Sequence, residues 1–429
     1  MRYVIENCLI AEPKLDFEPY FGFLVFEGEK IVGTGKGRFK GGKEFAKVID
    51  AKGFLLCPSF VDVYADFCEP GFEWREDIRS GSLCASSSGF TTVFVKPTTE
   101  PVCDRIEVAQ AIFEKGKAVG LLDVLPLVGM SVGLRQEAMP ELGQLSLAGF
   151  RWVTNADIWH KDIGFQRRVF EYATNFGMSL VLCGEENSLG GGVAHEGFVS
   201  TILGLDGSNK KAETIALFVW LNLCKIAGAR VHLAKVSTAE AIKLIREAKE
   251  EGLDVTASCA VMNLFFNEES VLSLDTSFKV KPCLRSEEDR VALLQALEEG
   301  VIDCVCSDHS PKSYEEKALE FEKALWGAGT IEFVFPMLNT LRKKGEIGLK
   351  TMLRSLCTAP RKAMGLDKGS LEQGCFANFV LSDLDGTHKK EVVSKGKNIP
   401  PFPEPLVGNV LLTCNKGRVT YDALGFFQR

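Results

Sequence analysis

The chemistry open to this chain is bounded by two residue types. It has five histidines, His160, His195, His232, His309 and His388, and 14 cysteines. Imidazole and thiolate groups bind zinc when brought together, and carboxylates serve as bases or further ligands. The most suggestive neighbours are Asp308 and His309, inside the run Ser307-Asp308-His309-Ser310-Pro311. The cysteines are scattered singly. Their closest pair, Cys304 and Cys306, shares one face if that segment is a strand, and no CxxC pair marks a zinc knuckle or redox site. They read as buried, reduced small hydrophobes. Gly190-Gly191-Gly192 lacks the flanking residues of a phosphate-binding loop. Ser86-Ser87-Ser88 reads as a small-residue helix end rather than a nucleophile site.

Composition narrows the class. The 429 residues carry 50 Lys and Arg against 57 Asp and Glu, a net charge of −7, with 46% apolar and 25% charged residues. These proportions exclude disorder, collagen and coiled coil. The acidic balance disfavours a nucleic-acid partner. No apolar run reaches the roughly 18–20 residues needed to span a bilayer, so no membrane role is expected. Glu6 and Glu12 interrupt the first 15 residues, which lack a signal-peptide layout. A cytoplasmic location is the expectation.

The elements that must position any site come from the alternation of patterns. Both ends are β-rich: Tyr3 to Ile10, Phe21 to Phe26 and Lys30 to Gly33 at the start, and Phe376 to Leu381, Val407 to Cys414 and Gly417 to Tyr421 at the end. The middle alternates helices with eight apolar runs: 55–63, 90–95, 122–128, 150–153, 180–183, 230–234, 254–259 and 303–306. Ser237 with Glu240 predicts a capping box, followed by the stripe Ile242, Ile245, Ala248 and a stop at Gly252. Ser286 opens a second helix with the stripe Leu293, Leu294, Leu297, closed by Gly300. One-striped helices beside continuous apolar strands predict a parallel sheet with helical cover. Eight of them predict an α/β fold, a (β/α)8 TIM-type barrel over 55–365, with chemistry at the C-terminal strand ends. The two ends, 1–54 and 366–429, are expected to pair into a small β-sandwich-like domain. Lys389-Lys390 and the segment 399–405, rich in proline, read as exposed loop, the latter also as a rigid docking segment.

Several ordered motifs carry a resemblance. They are the run from Pro58 to Gly71, Gly89-Phe90-Thr91-Thr92-Val93 followed by Lys96-Pro97-Thr98, and Gly190-Gly191-Gly192-Val193 with Glu196-Gly197. They continue with His232-Leu233-Ala234-Lys235-Val236-Ser237-Thr238, Phe278-Lys279-Val280 before Leu284-Arg285-Ser286, Ser307 to Pro311, and Ser394-Lys395-Gly396-Lys397-Asn398. Together, over about residues 1 to 421, they resemble the amidohydrolase superfamily and specifically dihydroorotase. The resemblance implies a metal-bound hydroxide that opens or closes a cyclic amide. The metal lowers the pKa of its water so that hydroxide exists near neutral pH. It also implies a His-x-His pair after strand one, an acidic or carboxylated-lysine ligand after strand four, one histidine after each of strands five and six, and an aspartate after strand eight.

This chain departs from that pattern. The His-x-His positions hold Tyr64 and Asp66. The acidic pair after strand four falls on Asn155 and Ala156, with Asp157 reachable by another gap placement. The strand-five and strand-six histidines are Cys183 and Lys235. Only Asp308 keeps the family's residue. The family's substrate contacts are replaced by Cys68, Thr98, Lys281 and Lys312. No catalytic residue is therefore expected: Asp308 and His309 read as vestigial. Lys235 is expected to bring a positive charge to the metal's place and neutralise Asp308 or Asp66, easing their burial.

The resemblance then implies a non-catalytic dihydroorotase homologue without cofactor. Such relatives associate with aspartate carbamoyltransferase as structural or regulatory partners in pyrimidine biosynthesis, in a homo- or hetero-oligomer. One alternative is a zinc-dependent cyclic amide hydrolase, dihydroorotase- or hydantoinase-like, with Asp66, Asp157, Cys183 and Asp308 as unusual ligands. The other is a metal-free homo-oligomeric scaffold. His160, His195, His232 and His388 read as structural or surface residues.

Overall fold

A computed structural model describes residues 2–14, 17–41, 46–388 and 391–427. The two chain ends build one eight-stranded mixed sheet. Arg2–Ile10 pairs antiparallel with Tyr20–Glu27, which pairs with Lys30–Lys36. The other edge of Arg2–Ile10 takes two parallel partners in succession, Ala46–Asp50 and then Leu55–Pro58. Leu55–Pro58 joins the C-terminal strands Phe379–Thr387, Val407–Asn415 and Arg418–Asp422. Ile5, Leu24, Phe26, Leu56, Phe379 and Leu412 form this sheet's own core. Ala46–Asp50, only five residues long, was not expected from the sequence.

The apolar run 55–63 is not one barrel strand. Leu55–Pro58 belongs to the terminal sheet, and the first barrel strand is Phe60–Ala65. Pro58 has no N–H to donate. The Ser59 N–H goes to Asn378 O at 3.1 Å, whereas the Phe60 N–H goes to Gly89 O at 2.9 Å. The chain thus changes partners between consecutive residues. Both strands are wholly buried, so the hydrophobic pattern runs through the change without a mark.

The barrel continues with Phe90–Val95, Asp123–Pro126 extended by Val128–Gly129, Trp152–Thr154, Ser179–Leu182, Arg230–Leu233, Val255–Ala260 and Cys304–Cys306. The pairings among these strands are parallel. The barrel is an α/β (β/α)8 fold, as the strand count implied. First and last strands close it through Asp62, whose carboxylate accepts from the Ser307 N–H at 3.0 Å and from the Ser307 hydroxyl. Beyond that pair, the Asp66 N–H donates to His309 O at 2.7 Å. Val61, Val63, Val181, Ala234, Cys304 and Cys306 fill the barrel interior. None of the 14 cysteines is in a disulfide, and all but the half-buried Cys375 are buried.

The helix Ala239–Glu250 starts one residue later than the capping pattern suggested. Thr238 caps it, its hydroxyl accepting from the Ala241 N–H at 3.2 Å. Ser237 is drawn away because its hydroxyl donates to Glu213 at 2.9 Å. Ser286 caps Glu287–Glu299 as expected, and Gly300, at φ +79°, ends it in the left-handed region. Ser86 ends the helix Ile78–Ser86. The proline-rich segment 399–405 docks on its own chain: Phe402 packs against Phe265, Phe266 and Phe333. Lys389-Lys390 lies outside the described residues. Among the described residues no helix is long and apolar enough to cross a membrane.

Candidate functional site

The C-terminal ends of the barrel strands surround a cavity of about 300 Å³. Asp66, Lys96, Asp157, Lys235, Asp308 and Lys312 face it as its charged lining, with Thr98 and Lys281 among them. Trp326, Phe72 and Arg75 close its rim. Arg75 is held there by Glu316, which accepts from its guanidinium at 2.6 Å and 2.8 Å.

The backbone aims these side chains inward. Cys68, Ala156, Asp157, Lys235 and Asp308 all hold positive φ, between 48° and 64°, just past strands one, four, six and eight. Non-glycine residues seldom adopt this region, and such strain gathers at functional sites.

Lys235 is the centre of the arrangement. Its ammonium lies 2.8 Å from Asp157 Oδ1 and 3.1 Å from Asp308 Oδ1. It donates to the Lys281 carbonyl at 2.7 Å. Only 2% of its side chain is exposed. Burial works against this charge, but Asp157 and then Asp308 hold its pKa well above the usual lysine value. For Asp157, burial is likewise outweighed by Lys235 and then Lys96, so its carboxyl stays well below the usual carboxylate range. For Asp308 burial wins over Lys235 and Lys96, and its pKa is raised. Asp308 Oδ1 has no aligned hydrogen-bond donor despite its proximity to the ammonium.

Asp66 is served by a different lysine. Lys96 Nζ lies 3.9 Å from Asp66 Oδ2 and 4.0 Å from Asp157 Oδ2. The Asp66 pKa is lowered because Lys96 and then Lys312 outweigh burial. Lys312 donates to Ser310 Oγ at 3.0 Å and Pro311 O at 3.1 Å, and burial lowers its pKa. The sequence expectation that Lys235 neutralises Asp308 holds in position. Its pairing with Asp66 does not, because Lys96, on the neighbouring strand end, stands in that place.

The strand-four position also needs correction. Asn155 turns away from the cavity and bridges strand ends, donating to Cys183 O at 2.6 Å and accepting from the Cys183 N–H at 3.0 Å. Ala156 has no functional group. Asp157 is the acidic residue in the site, brought round by the left-handed pair Ala156–Asp157. Cys183 donates its thiol to Asp157 Oδ1 at 2.7 Å and lies 3.0 Å from the Tyr64 hydroxyl. Burial pushes up both the Tyr64 and Cys183 pKa values. The thiol and the phenol are therefore neutral. Cys68 is buried beside the cavity, its N–H donating to Asp66 Oδ1 at 2.9 Å.

The histidines lie elsewhere. His309 is buried, and its Nδ1 accepts from the Thr330 N–H at 3.1 Å. It is a structural anchor for the loop after strand eight. His232 lies beneath the site, bonded to Thr256 at 2.9 Å and Ser258 at 3.0 Å. His160 bonds Ser131 and Ile158 O, and stacks on Phe165. His195 lies in the short strand Ala194–His195, and burial, then Arg285, depress its pKa to about 4. His388 contacts Gly408 O.

The residues present do not fit a catalytic divalent metal. Among the described residues no three His, Cys, Asp or Glu side chains converge to hold one. The ammonium of Lys235 stands between the two carboxylates best placed to do so. A cation entering there would meet a fixed positive charge within ion-pair distance of both.

A barrel with a polar ring at its strand ends and a small sheet made from both chain ends is the amidohydrolase architecture expected from the motifs. A dihydro-orotase-like family profile matches residues 53–241, and an amidohydrolase family profile matches residues 186–418. The dihydroorotase of Geobacter sp. strain M21 is 33% identical over 427 residues, covering 99% of this chain and 100% of that one. The dihydroorotase of Aquifex aeolicus is 32% identical over 425 residues, covering 98% and 99%. Among solved structures, L-hydantoinase from Arthrobacter aurescens superposes with a TM-score of 0.86 at 23% identity, covering 98% and 96% of the two chains. The dihydropyrimidinase from Brevibacillus agri gives 0.81 at 20% identity, covering 99% and 95%. The chain belongs to the amidohydrolase superfamily, in its dihydroorotase-like family.

Sequence reasoning left Lys96 and Trp326 without roles. Lys96 had a usable signal, since it directly follows a barrel strand, where the fold places chemistry. Trp326 had none: it reaches the rim from a long loop after strand eight.

Proposed function

We propose that this chain is a non-catalytic dihydroorotase homologue. The observation that carries the reading is the position of Lys235, whose ammonium lies against Asp157 and Asp308 where family chemistry would require a metal. The reading gains support from the family's other positions, which hold a neutral phenol, a neutral thiol and lysines. On this reading no cofactor is held. On the same reading the polar ring is a cluster of lysines paired with aspartates that supports the barrel mouth. The family resemblance supplies the partner, aspartate carbamoyltransferase, and the setting, a cytoplasmic homo- or hetero-oligomer of pyrimidine biosynthesis. An interaction surface can outlast the catalytic pocket of a shared fold.

Purification from the native host without chelator tests this. The expected result is zinc well below one equivalent per chain, no turnover of dihydroorotate, and co-purifying aspartate carbamoyltransferase. The full-length similarity to proteins named dihydroorotase favours a second reading, a metal-dependent cyclic amide hydrolase. One equivalent of zinc with turnover of dihydroorotate or a hydantoin would establish it in place of the first. A stable homo-oligomer with neither metal nor carbamoyltransferase would point to a scaffold instead.

A further inference from the structure

We propose that the outward face of the helix Lys211–Ala227 is an interface with a second copy of this chain. The helix lies between barrel strands five and six and is apolar all round. Its inner side buries Ala216, Leu217, Trp220, Leu223 and Cys224. On its outer side Ile215, Phe218 and Ile226 are 40%, 59% and 58% exposed. The spacing 215, 218, 222, 226 is one stripe of an α-helix. The helices on either flank differ. Ile163–Asn175 turns Arg167, Arg168 and Asn175 outward, and Ala239–Glu250 turns Lys243, Arg246 and Glu250 outward. A helix hydrophobic on every side belongs in buried surroundings, and a contiguous exposed apolar patch marks an interaction site.

Charge selects the occupant. Lys211 pairs with Glu240 at 2.7 Å and Lys225 with Glu251 at 2.8 Å, while Lys243 offsets Glu247 nearby. On the other flank Arg167 pairs with Glu171 and Arg168 with Asp162. Asn222 turns its amide back to the Phe218 carbonyl at 2.8 Å. The face is therefore balanced in charge. A strongly charged partner finds no complement there, and a second copy meets no like-charged patch.

Shape points the same way. A two-fold interface needs a surface that fits itself, residue i meeting j and j meeting i. This face holds both a knob and a hole. Phe218 stands beside a groove of about 160 Å³ formed with Leu221, Leu244, Ala248 and Leu253. An apolar space of about 150 Å³ holds one benzene ring. Two copies of the helix, packed antiparallel about the Trp220–Leu221 midpoint, put Ile215 of one opposite Ile226 of the other. Phe218 of each then lies over the other's groove beside Asn222. The helix is about 25 Å long, and with a neighbour about 10 Å away on each side the face spans roughly 600 Å². A standard interface takes roughly 800 Å² per partner, so the three helices supply most of one. The pairing is independent of the chemistry of the cavity.

The test is sedimentation equilibrium of the full chain over a range of concentrations. The parent is expected at twice the chain mass. Phe218→Glu changes an exposed side chain, so circular dichroism should show the fold intact. It brings a carboxylate toward Glu247 and Glu251 of the other copy. The dimer dissociation constant should rise at least about 30-fold, as when a central aromatic anchor is lost. Ile226→Lys, at the other end of the stripe, should act the same way. Phe21→Glu changes an equally exposed phenylalanine on the terminal sheet and should leave the constant unchanged. A monomeric parent, dimers of Phe218→Glu and Ile226→Lys as tight as the parent's, or equal weakening by Phe21→Glu would overturn the proposal. Capture of a different protein by a monomeric parent, lost in Phe218→Glu, would give the face another occupant and overturn it too. The proposed function fails separately, on zinc content and turnover, whatever the mass of the parent.

Discussion

Lys235 Nζ lies 2.8 Å from Asp157 Oδ1, and both residues hold left-handed backbone at the ends of barrel strands six and four. Two loops each accept an uncommon conformation so that an ammonium and a carboxylate meet at the barrel mouth. The pair is buried deeply enough that neither group can be removed without leaving the other exposed to its own desolvation cost.

Lys235→Met is the direct test of that dependence. It leaves Asp157 and Asp308 facing each other with the central cation gone, and the expected destabilisation is about 3–5 kcal/mol. Urea unfolding monitored by circular dichroism reads it. A loss within about 0.5 kcal/mol of zero, the size typical of surface changes, would show that the cluster is not structural.

Acid should act through Asp157. Its folded pKa lies below the reference value of 3.8, so its contribution to stability is present above that value and is lost as the pH falls through the folded one. Asp157→Asn removes the titration. The variant should be less stable at neutral pH but lose less Tm than the parent between about pH 4 and about pH 2. Parallel slopes for the two proteins would contradict the assignment.

Asp62 carries the opposite sign. Burial pushes its pKa up from 3.8 to about 6, ahead of the hydrogen bonds from Ser307 and Tyr64 that act to lower it. Its contribution is therefore complete below 3.8 and is lost as the pH rises through about 6. Asp62→Asn keeps an acceptor for the Ser307 N–H and has no charge to bury. Relative to the parent, it should gain roughly 2–3 kcal/mol as the pH rises across that window. Chemical unfolding at several pH values measures the difference.

The strap 399–405 depends on Phe402, whose ring centroid is 5.1 Å from that of Phe333 and 6.0 Å from that of Phe266. Phe402→Ala removes apolar area worth about 1–3 kcal/mol. The strap should then detach, and tryptic cleavage after the exposed Lys397 should accelerate while the barrel remains intact. Unchanged proteolysis would mean that the prolines alone hold it.

The barrel was legible because its eight strands are buried on both faces and its helices carry one apolar stripe, patterns that survive in a linear sequence. The identity of the altered positions was equally legible, since Tyr64, Asp66, Cys183 and Lys235 fall where a motif expects other residues. A one-residue change of partner at Ser59 was not, because burial was the same on either side of it. Nor was the choice of Asp157 over Asn155, which depends on two successive left-handed residues that turn one side chain inward and leave the other bridging strands.

The sequence by itself determined the fold class, the family and the absence of histidines from the expected ligand positions, all properties of residue type and order. Only the tertiary structure decided which charges meet. Lys96, Asp157, Lys235 and Asp308 lie on four different strand ends, and no local rule relates their distances. Barrel closure brings them together, and the balance between desolvation and Coulomb attraction then assigns each lysine its aspartates.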